Sequence, residues 1–353
     1  MVWFLRSNGV IKMATNTILN YNGMPAYLYS DQYHRTLKTA AKTIYLNSNS
    51  WNTFCSMNNG QANYSTFNKF NYKFVENGGY LFYNLRFMGS ASGVSFNFPN
   101  LINGNSMFKF TKSFNAPVMI GENCVDMSNM FGSCFEFNQS MNLPDNIVNC
   151  SYSFADCNNL NQPIVLPNNL TESIRTFYNC QNFNQNIFIP SKITNSSEMF
   201  YNCWNLRTVS GSFNNITAAN EMFRNCKNMT ISGSTVCFKK AKNIAHIFSN
   251  CDGNLLSGKT FIFNNATNVQ NAFNGCGSIG GDFYFDGHAP NTKNLFRGSD
   301  GSRRINIYTY NNYFFRNTTA SGSITGTAIS YTKNTANSCI YNVMYNIYIY
   351  STS

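Results

Sequence analysis

Apolar positions along this chain return on a fixed beat. Phenylalanine stands at Phe108, Phe131, Phe154, Phe177, Phe200, Phe223, Phe248, Phe273 and Phe296, in steps of 23 residues except for two steps of 25. Seven of them are followed three residues later by cysteine, at Cys134, Cys157, Cys180, Cys203, Cys226, Cys251 and Cys276, and Thr111 and Ser299 hold that place at the two ends. Seven residues before each phenylalanine the chain is small or apolar: Cys124, Ile147, Leu170, Ile193, Ile216, Ala241, Ala266 and Ala289. Six residues after it come Phe114, Phe137, Leu160, Phe183, Leu206, Met229 and Ile279, with Asn254 breaking the row beside Leu255. Residues that keep one register through successive repeats point inward, because stacking superimposes equivalent positions. A period in the twenties therefore predicts a solenoid of about ten coils, none able to bury its apolar face alone.

Within each coil a short alternating segment follows the phenylalanine by about ten residues: Met141-Asn-Leu143, Ile164-Val-Leu166, Ile187-Phe-Ile189, Phe261-Ile-Phe263, Phe283-Tyr-Phe285, Ile305-Asn-Ile307. Alternation predicts a strand, and Pro144, Pro167 and Pro190 end three of them. The stretch before each phenylalanine, such as Asn195–Tyr201, suits a helical turn or short helix. Stacked coils then line their strands into one parallel sheet. The 25-residue steps contain Ser232-Gly-Ser234 and Ser257-Gly-Lys259, so the extra residues are expected in the strand or in the turn leading into it.

The runs Phe131-Gly-Ser-Cys-Phe-Glu-Phe-Asn-Gln139, Phe177-Tyr-Asn-Cys-Gln-Asn-Phe-Asn-Gln185 and Met199-Phe-Tyr-Asn-Cys203 resemble the BspA-like bacterial surface protein repeat, a branch of the leucine-rich repeat superfamily. The resemblance covers about residues 85–300. Leu-Pro or Ile-Pro stands where that family often carries a Trp-Asp pair and a Val-Thr step. It implies an α/β solenoid, leucine-rich-repeat-like and right-handed, that binds or displays at a cell surface and carries no reaction.

The domain reading is an N-terminal cap or attachment segment over 1–64, the solenoid over 65–310 and a β cap over 311–353, with the first clear coil near Phe74. Asp31–Ala41 reads as a short helix, Thr43–Leu46 as a strand, Asn317–Thr327 as a polar loop and Tyr345–Tyr350 as a closing strand. Met13 reads as an alternative start. The opening run Met1–Arg6 is too short for a signal peptide, and no apolar run of membrane-spanning length follows.

Composition narrows the function classes. The formal net charge is +11, yet only 11% of residues are charged, and the dense basic spots are Lys239-Lys240 with Lys242 and Arg303-Arg304. A nucleic-acid binder shows a denser stripe within a known module, so none is expected, nor is membrane insertion. Of the twelve cysteines seven form the periodic column, and Cys124 and Cys150 fall on other inward registers; reduced, packed thiols are expected. No Cys-x-x-Cys pair occurs and His34, His246 and His288 are scattered, so no metal or cofactor is expected. Carboxylates such as Glu122, Asp126, Asp145, Asp282 and Asp286 lie outside the repeat register, and no histidine stands near a periodic nucleophile. A non-enzymatic role follows.

The middle residue of each strand should face away from the core. That row includes Asn142, Val165, Phe188, Ile262, Tyr284 and Asn306, more apolar than an open face needs. Beside the phenylalanine column, Tyr178, Tyr201 and Trp204 form a second candidate, of the kind that stacks on sugars or else packs partly into the core. A surface-type repeat with no export signal is expected in a bacteriophage virion, in a tail, baseplate or fibre component contacting the host. The alternatives are a bacterial cell-surface adhesin and a purely structural head or tail accessory. Expected partners are other virion proteins, further copies of the chain, and a host-surface glycan or protein.

Overall fold

The computed structural model describes residues 3–5, 11–13, 20–21, 24–30, 35–39, 43–46, 61–64, 71–285, 291–298, 303–309 and 347–351. The chain divides into two compact units, Met1–Pro167 and Asn168–Ser353, and both contain coils of the same design.

In the first unit the coils centre on Phe82, Phe108, Phe131 and Phe154, all fully buried. Their rings stack face to face, at 4.9 Å for Phe82–Phe108, 5.4 Å for Phe108–Phe131 and 5.7 Å for Phe131–Phe154. Phe82 belongs to this column although the 26-residue step to Phe108 hid it from the sequence period. Strand Phe96–Phe98 pairs in parallel with Val118–Ile120, and Met141–Asn142 with Ile164–Val165. At the start of this stack Gln61–Asn63 pairs in parallel with Arg86–Met88. Tyr64 lies over the end of the core, where its hydroxyl donates to Ser113 O at 3.1 Å and accepts from Asn115 N at 2.5 Å. Further toward the N-terminus Arg35–Thr39 is a strand, antiparallel to Met24–Ser30 and to Thr43–Leu46, where a helix over Asp31–Ala41 was expected. Cross-strand pairing on both sides decides it against the local propensity.

The second unit repeats the design at Phe177, Phe200, Phe223, Phe248, Phe273 and Phe296, with ring centroids 5.3–5.6 Å apart. The parallel strands fall into two groups rather than one sheet. Ile187–Ile189, Thr208–Gly211 and Thr230–Ile231 form one. Thr235–Cys237, Lys259–Ile262, Gly281–Phe285, Ile305–Thr309 and Ile347–Ser351 form the other. The break is the first insertion: Ser232-Gly-Ser234 splits one coil's strand into a piece that pairs backward and a piece that pairs forward. The second insertion lies in the turn leading into Lys259–Ile262, where Gly253–Leu256 makes a single helical turn. That turn sets the inward position at Leu256, which is buried, while Leu255 is exposed.

The remaining inward registers hold. Cys124, Ile147, Leu170, Ile193, Ile216, Ala241 and Ala266 are buried, as are Phe114, Phe137, Leu160, Phe183, Leu206, Met229 and Ile279. Ala289, Ser299 and the loop Asn317–Thr327 lie outside the described residues.

The segment before each phenylalanine is not helical, and its backbone explains the repeat better than any helix. Residues two before and two after the phenylalanine adopt positive φ: Asn129 and Ser133, Tyr152 and Asp156, Arg175 and Asn179, Glu198 and Asn202, Glu221 and Asn225, His246 and Asn250. Each left-handed residue reverses the direction of the next amide, so alternate N–H groups point to different partners. In the coil of Phe131, the amides of Asn129, Phe131 and Ser133 donate to Ser151 O, Ser153 O and Ala155 O of the next coil at 2.7–2.8 Å. The amides between them, Met130, Gly132 and Cys134, donate back three residues at 2.9–3.1 Å. A continuous helix would turn every amide along its own axis and leave the coils without cross-links.

Candidate functional site

Side chains that the core does not use lie on two faces of the coils. On the strand face the sequence expectation about direction is met. In the first unit Val165 is 75% exposed and Asn142 is exposed; in the second, Phe188 is 62% exposed between buried Ile187 and Ile189. Ile262 and Tyr284 are half-buried and adjacent in register, and Tyr284 stacks on Tyr308 at 4.4 Å. Asn306 lies opposite Asp282 and not Tyr284, and donates to its carboxylate at 2.7 Å, so the outward residues form two rows there.

The second face is the turn edge. Tyr178 and Tyr201, one coil apart, stack at 4.8 Å with their planes 11° from parallel. Arg175 lies over the Tyr178 ring, 5.0 Å from its centroid, and donates through Nε and Nη2 to the two carboxylate oxygens of Glu198, each at 2.8 Å. Arg224 lies over Tyr201 and pairs with Glu221 at 2.9 Å. These tyrosines are half-buried under guanidinium groups, which makes them more a brace between coils than an open platform. Trp204 differs: it is 42% exposed and stands three residues past Tyr201, with Lys227 Nζ 5.8 Å from its ring centroid.

Trp204 borders a shallow groove with Asn202, Asn225, Lys227, Asn228, Asn250, Asp252 and Gly275. Its floor is a ladder of amides. Asn202, Asn225 and Asn250 each donate through Nδ2 to the Oδ1 of the asparagine one coil earlier, at 2.8, 2.6 and 2.9 Å. A second row, five residues before the phenylalanine and asparagine or aspartate in most coils, closes the coil's corner; Glu172 and Ala218 stand there before Phe177 and Phe223. Asn103, Asp126, Asn149, Asn195, Asn243 and Asn268 accept through Oδ1 from the amide two residues on, at 2.8–3.2 Å. Asp126 is therefore inside the repeat register, contrary to the sequence reading. Both rows were visible as spacing, but asparagine is so frequent in this chain that only register against the phenylalanine separates them from chance.

The cysteine column is buried and chemically quiet. Cys134, Cys157, Cys203, Cys226, Cys251 and Cys276 donate through Sγ to the carbonyl of the phenylalanine one coil earlier, at 2.9–3.2 Å. Thr111 makes the same bond, Oγ1 to Phe82 O at 2.7 Å, which explains why the column tolerates threonine. Burial pushes the Cys203, Cys226 and Cys251 thiols well above their ordinary range and Cys276 to about 12. Cys124 and Cys150 are also buried, each raised to about 12, chiefly by desolvation. Thiols held protonated are poor nucleophiles and poor metal ligands. Among the described residues no three histidine, cysteine, aspartate or glutamate side chains converge on a metal-sized site. His246 is half-buried with its pKa lowered by burial and by Arg224, and Nε2 meets Asn271 Nδ2 at 3.2 Å. Of the basic spots, Lys240 donates to Asn215 Oδ1 at 2.8 Å and Arg304 to Asn306 Oδ1 at 2.9 Å.

Residues 121–205 and 174–283 match the family described as "Mycoplasma protein of unknown function, DUF285". These are the coils that carry the BspA-like resemblance. A leucine-rich cell surface protein of Faecalibacterium prausnitzii is a structural neighbour, 14% identical, with 99% of this chain and 93% of that one covered at a TM-score of 0.28. No curated protein matches the chain.

Proposed function

We propose that this chain is a non-enzymatic adhesion protein, a platform of stacked coils that meets a partner at a cell surface through side chains its core leaves over. One observation carries this reading. Large apolar groups at Phe188 and Trp204 stay exposed on coils whose inward columns are already filled. Nothing in the packing of those coils requires them, and exposed aromatic groups on a rigid frame are the usual anchors of a binding face. A virion carrier would use the same faces, and no feature of the fold favours it over a cell surface, so the adhesion role is proposed without a carrier.

The test is direct. Fluorescently labelled chain is incubated with bacterial and epithelial cells and with plates coated with extracellular matrix, and retention after washing is measured. Saturable retention that drops in the double variant Phe188→Ser, Trp204→Ala is expected. Absence of saturable retention on every surface would overturn the adhesion reading.

A further inference from the structure

The amide ladder has a direction, and it stops. Each asparagine in it gives one N–H hydrogen to the coil before and receives one on Oδ1 from the coil after. Asn250 should receive from the next coil, but that position is Gly275. Gly275 keeps the left-handed backbone, with φ of 74°, and supplies no side chain. A Cβ there would stand 2.2 Å from Asn250 Oδ1, too close for contact, so that oxygen occupies the place a side chain at 275 would take. Asn250 is exposed, no described residue donates to its Oδ1, and it lines the groove that Trp204 borders.

Resting on the adhesion reading above, we infer that this groove in the second unit binds a neutral pyranose unit of a surface glycan. Four features converge on that chemistry. The Trp204 ring, 42% exposed with Lys227 Nζ 5.8 Å from its centroid, offers aromatic surface for the C–H face of a sugar. Asn202, Asn225 and Asn250 each keep one N–H hydrogen unused by the ladder, and the open Asn250 Oδ1 adds an acceptor, so hydroxyls find both donors and acceptors in a fixed row. The row is held by inter-coil bonds, which removes most of the ordering cost of binding. Lys227 and Asp252 both border the groove, one cation against one anion, which gives no net preference for a charged ligand.

The geometry also supplies a variant that alters the site at this one position. Gly275→Asn restores the residue that the ladder uses at Asn179, Asn202, Asn225 and Asn250, all with positive φ. Asparagine tolerates that backbone, and its Cβ would force the Asn250 amide out of its present position, taking the open acceptor away from the groove. Wild type, Trp204→Ala and Gly275→Asn are applied to an array of immobilised neutral oligosaccharides ending in glucose, galactose, mannose or N-acetylglucosamine, with thermal melting as a check on folding. Binding by the wild type that weakens about tenfold or more in both variants, with melting unchanged, is expected. Equal binding by wild type and Gly275→Asn would overturn this site and leave the adhesion reading standing. Failure of the wild type to bind the array while it still adheres to cells would overturn the sugar assignment alone. Failure on the array and on cells alike would overturn the adhesion reading with it.

Discussion

At the scale of residues, the phenylalanine carbonyl explains the cysteine. Phe200 O accepts from Cys203 N within its own coil at 3.0 Å and from Cys226 Sγ of the next coil at 3.0 Å. The position therefore wants a small side chain with one donor in a dry place. Cys226→Thr and Cys226→Val have nearly the same shape but differ in the donor. Val is expected to unfold about 1 kcal/mol more easily than Thr in urea, the net worth of one buried hydrogen bond. A Val variant as stable as Thr would show the carbonyl needs no second partner. The same burial sets a pH dependence. The model-compound thiol value is 9.0 and Cys276 is held at about 12, so the folded state keeps protons that the unfolded chain releases. That stabilisation is full below about pH 9 and is lost as pH rises toward 12, at up to about 1.4 kcal/mol per pH unit for each such thiol. Urea midpoints at pH 8, 9 and 10 check this: a decline beginning above pH 9 is expected, and a flat profile contradicts it. The phenylalanine and cysteine columns were legible in the sequence because both residue types are scarce elsewhere at that register. The asparagine rows stood out less because asparagine is frequent throughout the chain, and the inward place of Leu256 depends on the helical turn at Gly253–Leu256 that absorbs two inserted residues.

At the scale of elements, the turn before and after each phenylalanine is what links one coil to the next. Its left-handed residues are strained for any side chain with a Cβ, and eighteen described non-glycine residues bear that strain. The inter-coil bonds from these same residues offset it. Asn225, with φ of 64°, separates the two effects, since glycine relieves the backbone and alanine does not. Asn225→Ala is expected to lose more stability than Asn225→Gly, by about 1 kcal/mol, while both lose the ladder bonds at 2.6 and 2.9 Å. Equal losses would mean that the ladder alone carries the element. The sequence suggested a short helix here because inward-facing residues three to four apart, such as Ile193, Ser196 and Met199–Phe200, mimic helical spacing. Periodicity reports which side chains face inward. It does not report the sign of φ, and that sign alone makes these turns.

At the scale of the molecule, each unit is a sum of coils that touch their nearest neighbours, so its stability should follow whole coils rather than chain length. Removing Gln181–Cys203, one complete 23-residue repeat, rejoins Cys180 to Trp204 with every column in register. That deletion is expected to keep the far-UV circular dichroism spectrum and a single cooperative melt. Removing only 181–192 puts inward residues on the outer face and is expected to abolish the melt. The surfaces were partly legible at this scale: Val165, Phe188 and Trp204 are exposed as read, whereas Tyr178 and Tyr201 are covered by Arg175 and Arg224. The cover could not be read because arginine and tyrosine meet only after the coils stack.

The whole account depends on a spine of aromatic rings and thiols closed to water, and alkylation of the native protein followed by peptide mass spectrometry measures that closure residue by residue. Cys203, Cys226, Cys251 and Cys276 should resist iodoacetamide at pH 8 until denaturant is added, with the half-buried Cys237 modified ahead of those four. Rapid native modification of those four, at the rate seen in the unfolded chain, would contradict the stacked coil.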